Sequence, residues 1–303
     1  MRKQKMPVIS KIIFIYLCLV TFITIFLMFW GFMTSLKSVE DYLYGNPLVP
    51  FPSQWEPMNY VYVYQAFSKE VLLSSGQKVT WNIWGMLYNS LIYAGVGALI
   101  QAFVPFLVAY VTSKYSEFKI CKIINATVIA LISLPLVGGT APTIKLLMSL
   151  NLYNNHFGML LGKAAFLTSY YLIYYAAWQG VPNEFADAAS IDGASDMGTF
   201  IHIMIPMMYK MYLTVFLLLF VTYWNDFEGP LVYLTNYPVL ALGVHEMAIT
   251  TINKRLPNGT YINLSRAPYR MASSMLLMIP MLVVFSVFNK RLMGNLSMGG
   301  LKE

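Results

Sequence analysis

Charge is what this sequence has least of. Of its 303 residues only 11% are Asp, Glu, Lys or Arg, while 58% are hydrophobic and the mean hydropathy is +0.59. A soluble domain carries about 25% charged residues, so this chain has too little polar surface to face water on all sides. Cysteine is scarce too. Cys18 lies in the first apolar run and Cys121 at the start of the third, with neither disulfide nor metal-ligand spacing. The three histidines, His156, His202 and His245, stand apart and form no catalytic or metal cluster. A net charge of +7 would point to nucleic acid in a soluble protein. Here the excess sits largely at the ends of apolar segments, where membrane proteins hold it, and no nucleic-acid partner is expected.

What is present is a series of apolar runs near the ~20 residues that a membrane helix needs. After a basic tip (1–11), a first span over 12–33 is too long for a signal-peptide core and has no small-residue cleavage site. An extracytoplasmic loop over 34–86 follows, with Pro47, Pro50, Pro52 and Pro57 and a short interfacial helix carrying Tyr60, Tyr62, Tyr64 and Phe67. Further spans are read at 87–112, 123–147 (broken near Pro135 and Gly138-Gly139), 159–178, 211–232 and 271–288. A long external loop covers 233–270, where Pro257-Asn258-Gly259 is a turn signature, and a tail covers 289–303. The expected fold is all-α and polytopic, with six transmembrane helices, both termini cytoplasmic and residues 87–288 forming one transmembrane domain. Basic residues at the tip, at 114–122 and at 290–302 agree with the positive-inside rule, whereas Lys254, Arg255, Arg266 and Arg270 run against it. Lys145 and Lys163 are expected to snorkel to the interface, with no carboxylate in the membrane to pair with them.

One polar stretch interrupts the apolar series. Residues 182–210 hold Glu184, Asp187, Asp192 and Asp196, four of only thirteen acids, and the topology puts them in the cytoplasm. Pro182 can open a helix, and Glu184 and Asp187 suit its positive end. Phe185, Ala188 and Ala189 give a small apolar face, and Gly193 breaks the helix before a second segment that runs to Pro206. Such a pair of short helices fits a groove on a partner. The plain alternative is a loop that only links two spans.

The run Asp187-Ala188-Ala189-Ser190-Ile191-Asp192-Gly193-Ala194, followed by Ile205-Pro206, resembles the EAA signature of permease subunits of binding-protein-dependent ABC importers. The carbohydrate branch, similar to the smaller maltose-permease subunit, is matched further. Asn89-Ser90-Leu91 resembles its Asn-Ser motif, Trp224-Asn225-Asp226-Phe227 its Trp-Asn-X-Phe motif, and Gly299-Gly300-Leu301-Lys302 its Gly-Ala-Val-Lys tail. Asp187 stands where the family has glutamate, and Glu184 matches a separate family acid. The resemblance covers nearly everything beyond the first external loop.

This resemblance implies a type I ABC importer permease in the cell membrane. Its coupling residues would be Glu184, Phe185, Asp187, Ala188, Ala189, Asp192, Gly193, Ala194 and Pro206. Its partners would be a second homologous permease, two ABC ATPase subunits, an extracytoplasmic solute-binding protein and the lipid bilayer. The chain has no Walker A pattern, so it would be no enzyme itself, and ATP and Mg would sit on the ATPase. Candidate pathway residues are Asn89, Thr168, Tyr171, Tyr175, Thr222 and Asn225, because aromatic rings stack on sugar faces and amides and hydroxyls bond sugar hydroxyls. Membrane-interface anchoring and helix packing use the same residue types. Lys254, Arg255, Asn258 and Tyr261 would probe the binding protein. Two alternatives stay open: a permease for a non-sugar solute, and a polytopic membrane enzyme such as a lipid-linked sugar transferase.

Overall fold

The structure is a computed structural model that describes residues 8–73, 76–134, 138–256 and 258–296. The elements in chain order are α1 (Val8–Ser35), α2 (Val39–Tyr44), α3 (Asn59–Ala66), β1 (Ser68–Leu72) and β2 (Lys78–Asn82). Then follow α4 (Ile83–Lys114), α5 (Lys119–Ser133), α6 (Thr140–Ser149), α7 (His156–Lys163), α8 (Ser169–Gln179) and α9 (Glu184–Ile191). The last are α10 (Asp196–Trp224), α11 (Glu228–Tyr233), α12 (Leu240–Ile249), β3 (Asn253–Arg255), β4 (Tyr261–Asn263) and α13 (Ala267–Leu296). Among the described residues four helices, α1, α4, α10 and α13, are long and apolar enough to cross a membrane.

The sequence reading differs from this in four places. Where one span was expected over 159–178, α7 and α8 are separated by residues 164–168, and Thr168 is extended (φ −137°, ψ 157°). No proline or glycine marks that interruption, so breaker residues give no sign of it. The third span is likewise two helices, α5 and α6; Pro135 lies outside the described residues. The fifth helix begins at Asp196 rather than near 211, because a π-helical turn over Phe200–Met204 carries the chain straight into Pro206, near the start of the α-helical run Ile205–Trp224. Finally, the loops contain two small two-stranded sheets and the apolar helix α12, none of which the all-α reading anticipated.

The chain divides into two compact units, 1–68 with 243–280 and 69–242 with 281–303. In the first, the segment after α1 is tied down by polar contacts. The Asn59 amide donates to the carbonyls of Ser35 (2.9 Å) and Lys37 (2.8 Å), the buried Lys37 ammonium donates to the Val49 carbonyl (2.6 Å), and Trp30 donates to the Pro47 carbonyl (3.0 Å). Asp41 lies in this loop. Burial pushes its carboxyl up, but the Ser53 N–H (2.9 Å) and the Lys37 charge outweigh that and hold it below the usual carboxylate range.

In the second unit α4 packs along α8 and α10 around a ring cluster. Phe106 meets Trp178 at 5.0 Å and Tyr174 at 5.1 Å, and Tyr110 meets Trp178 at 5.0 Å and Phe200 at 4.5 Å between ring centres. Edge-to-face and tilted pairs like these add about 0.5–1.5 kcal/mol each beyond burial. The Trp178 indole donates to the Phe106 carbonyl (3.2 Å), so the largest ring in the cluster leaves no polar atom unpaired.

Candidate functional site

The polar stretch folds as the short helix α9 and the first turns of the long α10, joined by a closed corner, rather than as two short helices ending at Pro206. Lys114, at the end of α4, donates to the Val181 carbonyl and to the Asn183 side chain (2.9 Å). Because Asn183 is occupied in that way it makes no side-chain cap, and α9 starts at Glu184, two residues after Pro182. At the other end Gly193 takes φ +81°, the Gly193 N–H donates to the Ser190 carbonyl (3.1 Å), and the Ala194 N–H donates to the Ala189 carbonyl (2.9 Å). That pair of bonds is a Schellman cap, which needs the left-handed conformation that glycine adopts freely. Ser195 then caps α10 by accepting from the Gly198 N–H (3.2 Å).

The outward face of this corner is mixed. Glu184, Asp187, Ala188, Asp192, Gly193 and Ala194 are exposed, as are the apolar side chains of Phe185, Ile191 and Met197; Ala189 is buried against the unit. Ile191 is 85% exposed on a two-turn helix that buries little else. Pro206, exposed, lies inside the continuous α10, just after its π-helical turn and at the start of the α-helical run Ile205–Trp224.

The expected pathway residues do not gather at one place. Asn89 and Ser90 are buried and pin the segment before α12. The Asn89 amide donates to the Pro238 carbonyl (3.0 Å), and the Leu240 N–H donates to the Ser90 hydroxyl (2.9 Å). Tyr171 is fully buried, with its hydroxyl on Thr112 (2.8 Å) and Asn125 (3.3 Å), and Tyr175 stacks on it at 5.8 Å. Thr168 precedes α8 with a buried hydroxyl that has no hydrogen-bond partner among the described residues. Thr222 bonds back to the Leu218 carbonyl (2.9 Å), and Asn225 ends α10 by donating to the Val221 carbonyl (2.9 Å).

A different group of residues surrounds a cavity of about 290 Å³, lined among others by Gln101, Thr143, Gly162, Lys163, Tyr223 and Tyr233. Lys163 does not snorkel. It is 6% exposed, and its ammonium lies 3.0 Å from the ring centre of Tyr223 and 4.3 Å from that of Tyr93. Its aliphatic stem occupies space that Gly97 leaves open, since a Cβ there would come 2.7 Å from Lys163 Cδ. The Tyr93 hydroxyl donates to one oxygen of Asp226, and the Gly229 N–H donates to the other (3.0 Å). A carboxylate therefore stands near this lysine, although the two form no ion pair. Lys145, in contrast, is exposed. The signal in the sequence was an ionisable residue in an apolar run and an acid just after another, which in membrane segments marks function by default.

The turn at Asn258 closes the β3–β4 hairpin. Arg255 pairs with Tyr261 and Lys254 with Ile262; Gly259 has φ +87°, and the Asn258 side chain accepts from the Thr260 N–H (3.0 Å). Arg255 and Tyr261 are exposed, with the guanidinium 5.7 Å from the Tyr261 ring centre, while Lys254 donates to the Ser68 hydroxyl (3.2 Å). The tail motif at 299–302 lies outside the described residues.

No family model matches the chain. Curated relatives do. The arabinooligosaccharides transport system permease protein AraQ of Halalkalibacterium halodurans is 24% identical, with 100% of both chains covered. The trehalose/maltose transport system permease protein MalG of Thermococcus litoralis is 26% identical over 99% of this chain and 97% of its own. The diacetylchitobiose uptake system permease protein NgcG of Streptomyces coelicolor is 25% identical over 90% of this chain and 82% of its own. Among solved structures, a bacterial ABC transporter involved in the import of the acidic polysaccharide alginate matches with a TM-score of 0.75. It is 19% identical and covers 95% of this chain and 99% of its own. The chain thus has the fold of an ABC importer, several membrane-length helices, and full-length similarity to permease subunits of sugar transport systems.

Proposed function

We propose that this subunit forms half of the pathway of an ATP-driven sugar importer and that its 182–210 corner receives the force of ATP binding. The observation that carries the coupling role is the exposed face of the capped corner: Phe185 and Ile191 as apolar knobs beside the carboxylates of Glu184, Asp187 and Asp192. Small residues at Ala188, Gly193 and Ala194 permit close approach, and carboxylates form charge-assisted bonds to basic groups of a partner. Lys114 ties the corner to α4, and Ser195 starts α10 directly after it, so a push on α9 acts on two long helices together. Asp187 and Glu184 both face outward, and both are assigned contacts with the ATPase.

The sugar assignment rests on the relatives, whose names are those of arabinooligosaccharide, diacetylchitobiose and trehalose/maltose systems. The remaining assembly follows: a second homologous permease, two ABC ATPase subunits that hold ATP and Mg, and an extracytoplasmic solute-binding protein. ATP-dependent uptake of a neutral oligosaccharide into vesicles that contain the full assembly tests this reading. Uptake that is independent of ATP or of the binding protein contradicts it.

The β3–β4 hairpin is assigned to the binding protein, since Arg255 and Tyr261 present a cation and an aromatic ring at its end. The double variant Arg255→Ala, Tyr261→Ala leaves the strand pairing in place. It is expected to lower uptake several-fold with the assembly intact, as measured by transport alongside size-exclusion chromatography. Unchanged uptake removes the hairpin from the mechanism.

A further inference from the structure

The cavity beside Lys163 has a chemistry that the coupling role does not use. Among the described residues the Lys163 ammonium meets ring faces but no hydrogen-bond acceptor. Ring faces offset part of the cost of burying a cation, yet they fill none of its three donor positions. Gln101 accepts from the Tyr223 hydroxyl (2.9 Å) through its oxygen, which leaves the two amide protons of Gln101 for a ligand. Thr143 donates its own proton to the Gly139 carbonyl (2.7 Å) and so offers the cavity an acceptor. The walls thus supply donors from Lys163 and Gln101, an acceptor from Thr143, and the rings of Tyr223 and Tyr233.

The volume, about 290 Å³, is at the lower limit of small-molecule sites, which start near ~300 Å³. It has room for one sugar ring. Charge narrows the ligand further. Asp226 lies close enough for its charge to act on the ammonium. Both its oxygens are already held by Tyr93 and Gly229, so it balances the lysine without occupying its donors. The site is rich in hydrogen-bond donors and close to neutral overall. Hydroxyl and ring oxygens satisfy such donors, whereas a carboxylate brings a net negative charge next to Asp226.

We propose that this cavity is a subsite for one neutral sugar unit, held by Lys163 and Gln101 and bordered by Tyr223 and Tyr233. The proposal rests on the sugar-importer reading and names where this subunit touches its cargo and which sugars it refuses.

The test uses the full assembly purified in detergent, with Gly162→Cys, which lines the cavity and has open space for a side chain, introduced on a Cys18→Ser, Cys121→Ala background and its rate of thiol labelling followed. The probes are arabinotriose, maltotriose and diacetylchitobiose as neutral ligands and trigalacturonate as the acidic one. A ligand that fills the cavity slows labelling by one plus the ratio of its concentration to its dissociation constant, about tenfold at ten times that constant. At least one neutral sugar is expected to protect in this way, and trigalacturonate is not. Lys163→Met is expected to abolish protection; if that variant fails to assemble, Gln101→Leu supplies the same comparison. Labelling unaffected by every neutral sugar overturns the subsite, as does protection by trigalacturonate equal to that by the neutral sugars or protection that persists in both variants. An assembly whose ATPase responds to sugar-loaded binding protein but whose labelling is unprotected loses the subsite alone. One that responds to no sugar-loaded binding protein loses the importer reading as well.

Discussion

Gly193→Pro is expected to abolish transport while leaving the chain in the membrane. Proline fixes φ near −65° and has no N–H, whereas Gly193 sits at φ +81° and donates to the Ser190 carbonyl. Both bonds of the Schellman cap are then lost: the first for want of a donor, the second because Ala194 is swung away from the Ala189 carbonyl. The damage stays local. A Cβ at Gly193 would meet nothing within 4 Å, and the ring cluster of Phe106, Tyr110 and Trp178 is built from other elements. The angle between α9 and α10 changes, so the exposed Phe185, Ile191 and Met197 no longer present one surface. The expected result is that ATP hydrolysis persists but no longer responds to sugar-loaded binding protein, and that uptake falls at least about tenfold, the effect of roughly 1.4 kcal/mol on a coupled step. Uptake and stimulated ATPase activity measured on the same vesicles check this, and normal uptake contradicts it.

Asp226→Ala is expected to have the largest effect on stability of any single change near the cavity. Its carboxylate accepts from the buried Tyr93 hydroxyl and the Gly229 N–H, and it is the acid whose charge acts on the buried Lys163. Hydrogen bonds to a charged group contribute about 1.5–3 kcal/mol each, and a buried cation deprived of its balancing charge adds to the loss. A destabilisation of about 3 kcal/mol or more follows, read as a large drop in the melting temperature of the purified assembly. Asp226→Asn keeps an oxygen acceptor and should fall between wild type and alanine. Tyr93→Phe removes one bond and spares the charge, so its cost should be the smallest of the three. If Asp226→Ala melts with the wild type, the network does not hold these helices.

The capped corner was legible in the sequence because its signals are local. An acid-rich stretch with a glycine at one point and small residues at helical spacing specifies the short helix α9 and a left-handed turn, whereas the second segment, expected to end at Pro206, is the start of the long α10. Likewise Asn258-Gly259 announced the β3–β4 turn, and the apolar runs announced the long helices. The interruption between α7 and α8 could not be read that way. It contains neither proline nor glycine, and it lies beside a lysine whose burial depends on Gly97, Tyr93 and Tyr223, all distant along the chain. The π turns over Leu91–Val96 and Phe200–Met204 are equally silent in the sequence, because they are adjustments of packing between long helices. For the same reason Asn89, read first as a pathway candidate, and its neighbour Ser90 are seen to brace backbone at Pro238 and Leu240 only once α12 is in place. The cavity was missed because its lining comes from residues as far apart as Gln101 and Tyr233.

The coupling claim is tested most directly by the ATPase activity of the purified assembly of this chain, its partner permease and the ATPase subunits, with and without sugar-loaded binding protein. A clear rise with the loaded binding protein is expected, and that rise is expected to be lost in Gly193→Pro. Activity that does not respond to loaded binding protein, or a chain that does not co-purify with an ABC ATPase, would contradict it.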